Sequence, residues 1–100
     1  MKLRDEHRGA DYWHLWAELE PGRGLVIRGQ DIGPSCPGGI EYEYSFRVAE
    51  DRMPELLGLL GAGADESVMA VLERLTGDAV SRFESVARGL SVDFWCHSAW

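Results

Sequence analysis

Tyr12-Trp-His-Leu-Trp-Ala-Glu-Leu-Glu20 alternates, with Trp13, Leu15, Ala17 and Leu19 on one side of an extended chain and Tyr12, His14, Trp16 and Glu18 on the other. That two-residue period predicts a strand. Pro21-Gly-Arg-Gly24 supplies the residues a tight turn needs, and Leu25-Val-Ile-Arg-Gly-Gln-Asp31 follows as the second arm of a hairpin, with Gly29 expected to mark a bulge or bend. Gly33-Pro-Ser-Cys-Pro-Gly-Gly39 cannot propagate regular structure, because prolines lack a donor and glycines loosen the backbone. The clearest alternation comes next: Ile40, Tyr42, Tyr44, Phe46 and Val48 are apolar or aromatic, and Glu41, Glu43, Ser45 and Arg47 between them are polar. Such a strand has one buried face and one wet face.

From residue 50 the period becomes helical. Met53, Leu56, Leu57 and Leu60 fall at i, i+3, i+4 and i+7, Glu50 and Asp51 suit the positive end of the dipole, and Gly61-Ala-Gly63 stops the run. Asp65 is expected to cap a second helix carrying Val68, Leu72 and Leu75 inward. Asp78 is expected to cap a third, with Val80, Phe83, Ala87 and Leu90 as its apolar stripe. Ser91-Val-Asp-Phe-Trp-Cys-His97 alternates again and predicts a last strand, whose direction in the sheet the pattern leaves open. The expectation is an α+β domain over residues 1–100 in the order βββαααβ. Three N-terminal strands and one C-terminal strand form an antiparallel sheet covered on one face by three helices. Residues 1–10 are expected to be a flexible N-terminal segment.

Composition changes this picture little, and charge changes it more. One hundred residues, 45% hydrophobic and 27% charged, suit one globular core. The net charge of −7 opposes the counterion release that drives nucleic-acid binding, so nucleic acid is excluded as a partner and a basic protein favoured. No stretch has the length of a membrane span and the first ten residues carry no apolar signal run, so a cytoplasmic location is expected and no membrane partner. Cys36 and Cys96 are then expected to stay reduced. Nine arginines against one lysine, with no asparagine, point to a GC-rich bacterial genome.

If the Tyr42, Tyr44 and Phe46 face meets the helices, the open face collects His14, Trp16, Glu18, Arg28, Gln30, Glu41, Glu43, Arg47 and Trp95. Tryptophan and arginine dominate binding hot spots, so this face is the candidate surface for a protein partner or a homodimer. The plain alternative is that the tryptophans pack under termini or a loop. Gln30 and Asp31, where strand gives way to loop, are further binding candidates, although Asp31 could serve only to cap the turn.

Catalytic readings are fewer. Glu41 and Glu43, about 6.5 to 7 Å apart along one strand, could act as acid and base, with His14 as a third member of a small hydrolase-like site. Solvated glutamates on an open strand are the common case. Cys96 and His97 are adjacent and so point to opposite faces of a strand, which argues against a shared metal ion; no metal and no cofactor are expected. Cys36 could be activated only by a spatial neighbour such as His14, since its flanks match no nucleophile motif.

The run Leu25-Val-Ile-Arg-Gly-Gln-Asp-Ile-Gly33, with Glu41-Tyr-Glu-Tyr44 and Met53-Pro-Glu-Leu-Leu57, resembles short hypothetical proteins of actinobacteria such as streptomycetes over most of the chain. The resemblance implies a bacterial cytoplasmic protein and transfers no catalytic residue. The size, acidity and layout are also similar in style to those of bacterial immunity proteins, which neutralise toxins that are often basic nucleases. The function expected from the sequence is a non-enzymatic, acidic, protein-binding module that is immunity-protein-like or regulatory and uses the open face of its sheet. The alternatives are the hydrolase-like enzyme and the self-associating subunit.

Overall fold

The computed structural model describes residues 1–34, 40–63 and 65–99. Five strands, β1 (Lys2–Arg8), β2 (Asp11–Glu20), β3 (Gly24–Ile32), β4 (Glu41–Ala49) and β5 (Val92–Ala99), form one antiparallel sheet in the order β1-β2-β3-β4-β5. Between β4 and β5 the chain makes a 3-10 turn at Glu50–Arg52 and then the helices α1 (Met53–Leu59), α2 (Val68–Glu73) and α3 (Asp78–Gly89). The α+β class and the order of the expected elements hold, but the sheet has five strands and not four. The extra strand is β1, lying within the segment expected to be flexible. Its sequence, Lys-Leu-Arg-Asp-Glu-His-Arg, offers no apolar alternation because it is an edge strand that reaches the core through little more than Met1 and Leu3.

Turn chemistry sets the pairing. Gly9 and Ala10 join β1 to β2 in a two-residue turn with Arg8 opposite Asp11, and Gly9 takes the positive φ such a turn requires. The turn from β2 to β3 is closed by the Arg23 amide donating to the Glu20 carbonyl at 3.0 Å. The ladders from β2 to β3 and from β3 to β4 run without a slip, Tyr12 opposite Ile32 through Glu20 opposite Gly24, and Gly24 opposite Ala49 through Ile32 opposite Glu41. Gly29 therefore makes no bulge. It sits opposite Leu15 and Tyr44, and a Cβ there would overlap the Tyr44 ring, so the missing side chain is the space in which that ring lies across β3.

The helices cover one face only. From the sheet, Leu15, Ala17, Leu25, Ile27, Tyr44, Phe46 and Val48 meet Leu56, Leu57, Val68, Val71, Leu72, Val80, Phe83, Ala87 and Leu90 from the helical layer. Each fully buried Leu, Ile, Val or Phe contributes about 1.5 to 3 kcal/mol relative to exposure. Two expected caps shift: Ser67 precedes α2 while Asp65 lies in the turn before it, and Gly77 precedes α3 with Asp78 in the first turn. α3 starts beside Trp13 and ends where Val92 meets Arg47, so the helices run out and back and deliver β5 antiparallel to β4. No helix is long and apolar enough to cross a membrane among the described residues.

Gly29→Ala should lower stability by about 1 to 3 kcal/mol through overpacking against Tyr44. Gly58→Ala, on an exposed turn of α1 with open space around it, should instead stabilise by up to about 1 kcal/mol. Opposite shifts of the urea midpoint in the two variants are the expected result.

Candidate functional site

Because the ladders keep register, side chains of the open face line up in rows across the strands. One row runs Trp16, Arg28, Ser45, Trp95, from β2 through β3 and β4 to β5. The next runs Asp5, His14, Gln30, Glu43, His97. Three strand spacings separate the two tryptophans, about 14 Å at the backbone. Between them stand the small Ser45 and the exposed Arg28. The result is a trough of about 470 Å³ walled by Trp16 and Trp95, with Arg28, Gln30, Glu43, Ser45 and the backbone around Gly29 and Tyr44 as its lining.

The charges in and beside the trough are unevenly answered. Arg28 Nη1 reaches Glu18 Oε2 at 3.2 Å. The Gln30 side-chain amide donates to Glu41 Oε2 at 3.1 Å and to Glu43 Oε1 at 3.3 Å, holding the two carboxylates side by side. Neither glutamate forms an ion pair with a cation among the described residues. Trp95 is half exposed and stacks on His97 with 6.2 Å between ring centres.

Trp16 is fixed from its other side by a ladder of rings. His7, Tyr12, His14 and Trp16 follow one another edge to face, with centroid separations of 3.5, 3.9 and 4.9 Å. Asp5 Oδ1 accepts the Tyr12 hydroxyl at 2.7 Å, and that bond, with the one from Lys2, holds the Asp5 carboxyl below its usual range. The same oxygen lies 3.2 Å from His14 Nε2 without hydrogen-bond geometry, so both His14 ring nitrogens are buried without a hydrogen-bond partner among the described residues. His14 is a packing member of the ladder, and Gln30 stands between it and Glu43 in the row; the three residues of the acid–base reading do not converge.

Arg47 lies on the same face but outside the trough. Its guanidinium binds Asp93 Oδ2 through Nε at 3.1 Å and Nη2 at 2.7 Å, and the Arg23 carbonyl through Nη1 at 2.6 Å. It clamps the irregular start of β5, where Asp93 adopts a positive φ of 58°.

Asp31 was expected beside Gln30, but consecutive strand residues point to opposite faces, and Asp31, paired with Trp13 and Tyr42, belongs to the helix side. There it faces a polar cluster that strand alternation alone does not reveal. The Tyr44 hydroxyl donates to Glu84, which also draws Arg4 at 3.9 Å and Arg88 at 3.7 Å. Arg88 lies over the rings of Tyr44, Phe46 and Phe94 at 5.0, 5.6 and 5.3 Å. Burial, then the Glu84 carboxylate, push the Tyr44 hydroxyl far above its ordinary value, and burial, then Glu84, push the Asp31 carboxyl up. The i, i+4 spacing of Glu84 and Arg88 is the one sequence signal for this cluster.

Cys96 pairs with Tyr44 and His97 with Glu43, so the dipeptide does divide between the faces. Cys36 and the middle of its loop lie outside the described residues. Among the described residues no group of three or more His, Cys, Asp or Glu side chains is placed to hold a metal. Compared with known proteins, the chain matches no family model, no curated protein and no solved structure.

A carboxyl raised by burial binds its proton more tightly in the folded state, which favours folding below the unfolded value of 3.8 and is lost as pH rises through the folded value. Asp31→Asn should therefore be more stable than the parent at neutral pH, and the difference should shrink to nothing as pH falls below 3.8. Paired thermal melts across that range check this.

Proposed function

We propose that the chain is a non-enzymatic binding module whose open-face trough holds a basic segment of a protein partner. The observation that supports the reading most directly is the pairing of two tryptophan walls with carboxylates that have no cationic partner among the described residues. An arginine or lysine side chain entering between Trp16 and Trp95 gains a cation–π contact of about 0.5 to 2 kcal/mol and meets Glu43, then Glu41, at the end of its reach. The net charge of −7 raises the encounter rate with a basic surface and makes that rate fall with salt. An immunity-like or regulatory role fits such a surface, since both need a partner to be gripped and not transformed.

Titration of tryptophan fluorescence with an arginine-rich peptide, and with the same peptide carrying neutral citrulline, tests the reading. The arginine peptide should bind with a salt-sensitive affinity, Trp16→Ala and Glu43→Gln should each weaken it by about three- to thirtyfold, and Glu73→Ala on the exposed side of α2 should not. Equal binding of the citrulline peptide would sink it.

A further inference from the structure

The two edges of the sheet are built differently. β1 carries Lys2, Arg4, Asp5, Glu6, His7 and Arg8 along seven residues, the charged edge by which a sheet discourages added strands. β5 has only Asp93 and His97 among eight, and Asp93 is already held by Arg47. Its apolar side chains are exposed on both faces: Phe94 at 49% on the helix side and Trp95 at 53% on the open side, with Val92 at 40% at the start of the strand. A ligand laid on one face of the sheet would cover one of Phe94 and Trp95 and leave the other wet. A strand added beside β5 gives both of them cross-strand neighbours and takes up the backbone groups of the edge.

We propose that β5 pairs antiparallel with β5 of a second copy, joining two five-stranded sheets into one. The occupant follows from charge. A basic strand would find no uncommitted carboxylate along this edge, whereas a near-neutral apolar strand meets no like charge along the edge itself, and β5 is such a strand, although two copies each carrying −7 repel at longer range and should associate more tightly as salt rises. A twofold axis normal to the sheet keeps each side chain on its own face, so it must lie between two copies of the same residue. Set between the two copies of Trp95, it places the two Trp95 rings adjacent on the open side and His97 beside the irregular start of the partner's β5, where Asp93 stays with Arg47. The outer wall of each trough is then backed by the partner's Trp95, and two troughs lie side by side on one continuous face. This inference is independent of what the trough binds.

Sedimentation of the full chain over a roughly hundredfold range of concentration should show the mass doubling. Phe94→Glu adds a carboxylate from each copy to the shared edge and should raise the dimer dissociation constant about tenfold or more, while Glu6→Ala on the opposite edge should leave it unchanged. Hydrogen exchange on the unmodified chain keeps the test sound if Phe94→Glu folds poorly: exchange of β5 amides should slow as concentration rises. A monomer at every concentration overturns the proposal, and so does a dimer whose added protection falls on β1 or the helices. A monomer that still binds the arginine peptide would leave the binding reading standing.

Discussion

The unbroken ladder through β2, β3 and β4 is the constraint on which the rest of the molecule depends. Side chains in a strand alternate, so a slip of one residue at either ladder would send Leu25 and Ile27, or Phe46 and Val48, to the wet side and bring Arg28 or Arg47 into the core. The energy of the helical layer thus polices the geometry of the opposite face. Trp16, Arg28, Ser45 and Trp95 stand in line because Ala17, Ile27 and Phe46, their neighbours one residue away, have to be buried.

Gly29 and Tyr44 show how the two faces meet. The ring of Tyr44 occupies the space a side chain would take at Gly29, and its hydroxyl crosses to Glu84 on α3, where Arg4 and Arg88 balance the charge. Charged groups beside the core are thereby satisfied at its rim instead of inside it; no charged or polar residue is fully buried among those described. The backbone at Gly29 and Tyr44 meanwhile forms part of the floor of the trough on the other side.

Much of this was legible in the sequence because alternation is a local signal. Ile40 to Val48 declares its faces residue by residue, and the periodic leucines and valines of the helices do the same. The membership of the open face followed, including Trp16, Arg28, Gln30, Glu43 and Trp95. The trough itself did not, because it depends on which residues stand opposite one another: Ser45 matters only once it is known to lie between Arg28 and Trp95. Asp31 closes the expected strand beside Gln30, and only its pairing with Trp13 and Tyr42 shows that it faces the helices while Gln30 faces the trough. β1 was missed because an edge strand made of charges has no hydrophobic period, and Arg47 looked like a contact residue because its partner, Asp93, is distant in sequence.

The placement of β5 has a kinetic side. Four strands form a meander of successive hairpins, whose contacts are local in sequence, but β5 is separated from β4, its one neighbour in the sheet among the described residues, by the whole helical segment. During synthesis at about 5 to 20 residues per second, β4 waits several seconds with its outer edge unpaired. In that interval the strand at risk of wrong pairing is the one bearing Tyr42, Tyr44 and Phe46. The Arg47–Asp93 clamp stands where the chain leaves the helices and β5 first meets β4, so the edge that waits longest is pinned at the end the chain reaches first.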